Sequence, residues 1–409
     1  EVRKNKLDSV TKAIQKEFSK DNDYVVQVRS MYSGNEYHVF IHEEFKDVRF
    51  VHAPPGSIGK FGGDTDNWMW PRHTGDYSVF RVYADSTNQP ADYSATNVPY
   101  QPRRFAAIST KGYKEGDFAF IMGNPGSTSR YLTSWGINNR TKASNQARID
   151  VRGAKQDVWK SFMKADEAIN IAYASKYAGS SNYWKNSIGM NKAIDELGVL
   201  KRKKELERSF GEWITKDAKR TQKYGQVLPQ LESLNNKVFT TLRTLTYLRE
   251  ALYSGAEMPR IAGSLESMVE KKDSKEAIEK RANELYKDYY PQVDEATMAV
   301  MLETYRKYVA ATELPAIYAE IDKKFKGNYQ AYTKALFAKS AFSTKDKFLK
   351  QYNAGKLNLE KDPALQFRKA VNETIEKLDS KEFRENFEAI RNAERLFEAG
   401  LMEINRENG

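Results

Sequence analysis

The chain has 409 residues, enough for two or three domains with well-buried cores, and its 40% hydrophobic content is that of a soluble protein. No stretch approaches the roughly 18 to 20 apolar residues that span a bilayer, and the lack of cysteine excludes disulfides, thiolate catalysis and cysteine-ligated zinc. Lysine and arginine number 66 against 55 acidic residues, a net +11 that would attract an anionic partner, yet runs such as Lys201-Arg202-Lys203-Lys204 meet Glu205 and Glu207 at once, the mixed charge of a solvated helix face.

The chain opens Glu1-Val2-Arg3 without a basic, apolar, small-residue leader, so it is expected to be cytosolic or a mature or trimmed product. Val2, Leu7, Val10, Ile14 and Phe18 recur every three to five residues and predict an N-terminal helix within residues 1–23, broken at Asp21-Asn22-Asp23. From Tyr24 the period falls to two. Tyr24 to Val28 and Glu36 to Ile41 flank Ser33-Gly34-Asn35 and predict a hairpin. Further strands are expected at Val48 to Val51, from Asp76 to Tyr83, at Phe105 to Ile108 and at Asp117 to Met122. After about residue 140 the composition turns to Ala, Leu, Glu, Lys and Arg with helical periodicity. Helices are predicted at 198–216, 229–254, 257–270, 274–287, 294–310, 313–323, 328–340 and 363–400, with Gly179-Ser180-Ser181 as a break in an earlier one. The expected class is α+β, with a β region at 24–140 and an all-α domain at 141–409.

Chemistry is sought first in Phe61-Gly62-Gly63-Asp64-Thr65-Asp66-Asn67-Trp68-Met69-Trp70-Pro71-Arg72-His73-Thr74-Gly75-Asp76, where glycines, carboxylates and two tryptophans crowd together. Asp76 followed by Tyr77-Ser78-Val79-Phe80-Arg81-Val82 fits the strand that carries the triad aspartate of chymotrypsin-like proteases. The same pattern is also ordinary turn chemistry before a strand. Asp64 and Asp66 read as turn carboxylates capping backbone N–H groups rather than as a cation site. Asn67 and Trp68 suit either a grip on the polar end of a ligand or a tryptophan packed in a barrel corner. None of His38, His42, His52 and His73 makes a convincing general base: His52 closes a strand, and His73 organises the loop. Gly123-Asn124-Pro125-Gly126-Ser127 imitates a nucleophile loop, but proline occupies the nucleophile's place, so Ser127 is not assigned that role.

The segments Phe45 to Val51, Ala53-Pro54-Pro55, Ser57 to Asp76 and Arg130-Tyr131-Leu132-Thr133-Ser134 together resemble the bacterial dipeptidyl-peptidase 7 and 11 family. The likeness continues through Tyr173 to Tyr177 and Asn182 to Asn186, and more loosely to the end of the chain. It implies serine exopeptidases with a chymotrypsin-like double barrel, only part of which is expected here, and a large inserted helical domain that caps the cleft. By that resemblance Asp76 is the triad aspartate, and Asn67 with Trp68 grips the free α-amino group of an oligopeptide. The family's histidine segment and its Gly-Asn-Ser-Gly-Ser loop have no counterpart in this sequence, so the isolated chain is expected to hydrolyse nothing. The resemblance implies a periplasmic or cell-surface enzyme with no cofactor, metal or nucleic acid, and leaves room for a homodimer. Gly126 to Arg130 and Asn186 to Met190 lean towards the type-7 branch, associated with hydrophobic residues near the cut. The rival reading is a non-catalytic helical protein that binds an anionic partner through its basic faces.

Overall fold

The computed structural model describes residues 2–123 and 128–407. The chain divides into two compact units, Glu1–Tyr131 with Glu398–Gly409, and Leu132–Phe397. Ser127 lies outside the described residues.

In the first unit, helix α1 (Val2–Phe18) lies beside a hairpin of β1 (Val25–Met31) and β2 (Glu36–His42), and Gln15 Nε2 donates to the Val26 carbonyl at 3.2 Å. The hairpin is antiparallel, with Val28 opposite Val39, and a short 3-10 turn at Tyr32–Gly34 joins its strands. A second antiparallel sheet has the order β3 (Val48–His52), β4 (Val79–Ala84), β5 (Val98–Pro99). The one-turn helix α2 (Gly56–Gly59) follows β3. Asp47, 2% exposed, anchors this sheet: it accepts from Arg49 Nε at 2.9 Å and Nη2 at 2.8 Å and from Asn97 Nδ2 at 2.8 Å. The guanidinium holds the Asp47 carboxyl down to about 2 and stacks on Tyr83 at 3.7 Å.

Three strand expectations are corrected here. Residues 105–108 and 117–122 form no strand, because no described strand pairs with them and an unpaired extended run has no ladder. Their apolar side chains stand in the open, Phe105 at 82%, Ile108 at 94% and Ile121 at 95%. The strand expected from Asp76 begins only at Val79, where a register irregularity between Phe50 and His52 ends the pairing.

The second unit is helical. Helix α3 (Ser134–Asn138) continues through a π-helical segment, Asn139–Asn145, into α4 (Gln146–Ala165). There follow α5 (Glu167–Glu196), α6 (Val199–Thr215), α7 (Ala218–Tyr224) and α8 (Val227–Tyr247), the last extended by a π segment to Tyr253. Next come α9 (Met258–Glu270), α10 (Lys275–Leu285), α11 (Pro291–Tyr308), α12 (Ile317–Phe325) and α13 (Tyr329–Lys339). The series ends with α14 (Lys345–Asn353), α15 (Pro363–Leu378) and α16 (Lys381–Glu407), whose residues from Glu398 on belong to the first unit. Side-chain caps start many of them: Asp166 on α5, Asp217 on α7, Ser274 on α10, Asn328 on α13, each worth about 1 kcal/mol. Gly179-Ser180-Ser181 does not break α5, since Ser180 and Ser181 are buried and Ser180 Oγ accepts from Gln156 Nε2 on α4 at 3.3 Å. The expected 363–400 helix is two, because Ser380 caps a new start by accepting from Phe383 N at 3.2 Å.

A buried carboxylate ties three of these helices together. Asp294 on α11 is 2% exposed and accepts the backbone N–H groups of Glu257 at 2.6 Å and Met258 at 2.7 Å, capping α9 from a distance. The Glu257 side chain receives Tyr173 Oη at 3.1 Å and Lys176 Nζ at 2.8 Å from α5. Burial, and then the neighbouring Glu257 charge, push Asp294 up to about 7 from an ordinary 3.8, against the pull of the two N–H donors and Tyr289. A carboxyl raised on folding favours the folded state while it keeps its proton, and that contribution is lost as pH rises through the raised value. Thermal melts should therefore show stability falling from about pH 4 and levelling off above about pH 7, with the fall flattened in Asp294→Asn. That variant should also melt lower throughout, since a buried N–H left facing an amide costs about 1–3 kcal/mol. An unchanged slope in the variant would show that another group sets the pH dependence.

Candidate functional site

The loop between α2 and β4 is built around one carboxylate. Asp66 Oδ2 accepts the backbone N–H of His73 at 2.7 Å and lies 3.4 Å from His73 Nδ1, closing residues 66–73 into a ring. Gly62 makes this closure possible, because a Cβ there would stand 1.8 Å from Asp66 Oδ2. The far end is pinned separately, with Gly75 N donating to the Ile58 carbonyl of α2 at 3.1 Å. Asp66 therefore does the work expected of a turn carboxylate, and His73 that of a loop organiser.

Asn67 and Trp68 lie inside the ring. Asn67 is half-buried, and its backbone N–H donates to the Asp64 carbonyl at 3.3 Å. Trp68 has φ of +60°, a left-handed conformation that a bulky residue adopts only where its surroundings impose it. Its side chain is 51% exposed and Trp70 is 87% exposed, so the expectation of a tryptophan packed in a corner fails in this chain. The loop displays its indoles.

Asp76 sits at the loop's exit, three residues before β4, with an exposed side chain. Beside it in sequence, Tyr77 Oη lies 3.2 Å from His52 Nε2 at the end of β3, with the two rings 5.8 Å apart. The four histidines do not gather: His38 lies 3.4 Å from Glu36, His42 stacks on Phe40 at 6.0 Å, and His52 and His73 have the partners just given. Among the described residues no group of three or more His, Asp or Glu is placed to hold a metal ion. The Asp47–Arg49 pair was missed by the reading of the sequence, although its signal was present: an Asp-x-Arg spacing at a strand puts both side chains on one face.

Gly62→Ala and Asp66→Ala should both open the ring. Loss of a hydrogen bond to a charged acceptor, about 1.5–3 kcal/mol, should speed tryptic cleavage after Arg72 by about tenfold or more, with melting of the helical unit unchanged. An unaltered cleavage rate in both variants would mean that Asp66 does not hold the loop.

Comparison with known proteins follows this geometry. The chain is 46% identical over 408 residues to Dipeptidyl-peptidase 7 of Porphyromonas gingivalis, covering 98% of this chain and 57% of that protein. It is 36% identical over 403 residues to the Asp/Glu-specific dipeptidyl-peptidase of the same organism, covering 95% and 55%. The crystal structure of Porphyromonas endodontalis DPP11 in complex with the dipeptide Arg-Glu superposes with a TM-score of 0.80 at 32% identity, over 97% of this chain and 57% of that one. This chain thus spans somewhat more than half the length of these two relatives. The mostly helical fold with small antiparallel sheets agrees with that crystal structure, and the Peptidase S46 family model matches residues 1–409: the chain belongs to the peptidase S46 family.

Proposed function

We propose that this chain is part of a serine dipeptidyl peptidase that releases dipeptides from the free N-terminus of oligopeptides. The observation that carries this reading is the 46% identity to Dipeptidyl-peptidase 7 across 98% of the chain. In the proposed mechanism, Asp76 accepts a hydrogen bond from a histidine and stabilises the imidazolium formed when that histidine takes the proton of an attacking serine. Histidine and serine are supplied by polypeptide outside residues 1–409, so the isolated chain is inactive. In a triad the aspartate is shielded from water, whereas Asp76 is exposed here. What supports later coverage is the sheet that Asp76 leads into: Phe50 at 63% and Phe80 at 55% face solvent on β3 and β4, a degree of apolar exposure that marks a surface made to be covered. On this reading the first unit contributes to a chymotrypsin-like barrel.

Asn67 and Trp68 are the proposed clamp for the substrate's α-ammonium group. The amide oxygen accepts one N–H, and the half-exposed indole face attracts the cation. An anchored amine sets which peptide bond reaches the serine, so that two residues are counted off before the cut. The helical unit is proposed to wall the cleft beyond them. The higher identity to a type-7 relative than to an Asp/Glu-specific one supports preference for a hydrophobic residue at the cut. The described residues contain no helix long and apolar enough to cross a membrane, and we assign the protein to the periplasm or cell surface.

The test is hydrolysis of oligopeptides by the whole protein, followed by mass spectrometry. Dipeptides should leave only from free N-termini. Asn67→Ala should lower kcat/KM on such substrates by about 10- to 100-fold, the equivalent of one charge-assisted hydrogen bond, without changing the residual rate on N-acetylated peptides. An unchanged ratio between free and acetylated substrates would remove Asn67 from the clamp, and cleavage inside acetylated peptides at equal rates would reject the exopeptidase reading.

A further inference from the structure

Asp76 is flanked by two residues that are tied down through other parts of the first unit. Gly75, before it, donates its backbone N–H to the Ile58 carbonyl of α2 at 3.1 Å, and a Cβ on Gly75 would stand 3.0 Å from Ile58 Cγ2. Tyr77, after it, brings Oη to 3.2 Å from His52 Nε2 at the end of β3, with the ring centroids 5.8 Å apart. Neither contact involves the Asp76 carboxylate.

An extra residue in β3 puts His52 within reach of Tyr77. Phe50 stands opposite Phe80 and their rings meet edge-on at 5.8 Å, so both face one side of the sheet. In an unbroken ladder His52 would oppose Ser78 on that same side, and Tyr77 would point the other way. The register shift instead sets His52 opposite Val79, with Val51 as the additional residue, and turns the imidazole to the side shared by Val79 and Tyr77. Tyr77 is then the diagonal neighbour of His52, a separation that aromatic side chains can span. Both side chains are exposed, Tyr77 at 53%, so the contact adds little to global stability and its effect is local.

We propose that His52, acting through Tyr77, is a positioning residue for Asp76. With Gly75 held on the other side, the pair fixes the backbone from which the carboxylate projects, and so the direction in which it meets the histidine it orients. The inference rests on the proposed role of Asp76 in the triad. An aspartate at the end of an untethered loop would sample many directions, and aligning it would cost conformational entropy at each turnover. Ties at both neighbouring residues remove that cost before substrate arrives.

The test is steady-state hydrolysis of free-amine oligopeptides by the whole protein carrying His52→Ala, Tyr77→Phe, both together, or His52→Gln, whose amide offers Oη both a donor and an acceptor. His52→Ala and Tyr77→Phe should each lower kcat about tenfold, with KM within about twofold and the melting temperature unchanged, since a small misplacement of a catalytic group is costly in rate. The double variant should be no slower than either single one, and His52→Gln should recover most of kcat. In an Asp76→Asn background, His52→Ala should change the residual kcat by less than about twofold, because no carboxylate is left to orient. A lowered melting temperature with equal loss of kcat in both backgrounds would make the contact merely structural and overturn the proposal. Dipeptide release that collapses in Asp76→Asn but is unaffected by His52→Ala and Tyr77→Phe would overturn the positioning role alone. A kcat that survives Asp76→Asn would overturn it together with the triad reading.

Discussion

The hydrogen bond from the His73 backbone N–H to the Asp66 carboxylate is the constraint on which the proposed site depends. It closes the ring that contains Trp68 at its positive φ, and the residues proposed as the amine clamp lie inside that ring. Gly62 leaves the space that the carboxylate needs, and the separate bond from Gly75 to Ile58 ties the exit of the ring to α2. A loop of glycines and tryptophans is otherwise a poor scaffold, since glycine loses more freedom on ordering than any other residue. One well-partnered acid offsets that cost locally.

The helical unit relies on the same device at greater depth. Asp294 caps α9 from α11, Glu257 collects Tyr173 and Lys176 of α5, and Glu207 on α6 receives Ser134 N and Oγ, the latter at 2.8 Å, at the start of α3. Asp294 and Glu207 stand where helix ends present N–H groups that no turn of their own can satisfy. Lys155 shows the converse. Burial lowers it to about 8, while its ammonium lies 5.0 Å from the Trp159 ring and donates to the Ser254 carbonyl at 3.3 Å. Asp294, Glu207 and Lys155 are thus each buried with directed partners.

Periodicity made most of the helices legible, because an apolar stripe and a capping residue are both local signals. The helix at Lys345–Asn353 was missed although Thr344 caps it by accepting from Lys347 N at 3.2 Å, a signal too short to stand out among polar residues. The strands expected at 105–108 and 117–122 failed for a non-local reason: alternation describes a face ready for burial, but a strand exists only where another strand pairs with it. The turn role of Asp66 followed from its loop, whereas composition left Asp76 between triad member and turn residue, and only the resemblance tipped it. The pairing of Asp294 with Glu257 was illegible, since 37 residues and two helices separate a carboxylate from the N–H groups it caps.

The central claim is that Asp76 orients a histidine for serine acyl transfer, and steady-state kinetics of Asp76→Asn in the whole protein tests it most directly. The account predicts a fall in kcat of about 10⁴-fold, because the amide favours the wrong tautomer, with KM little changed and peptide binding to an inactive-serine background intact. A variant that keeps its kcat would contradict the account, since Asp76 would then be a turn residue and the triad aspartate would lie elsewhere.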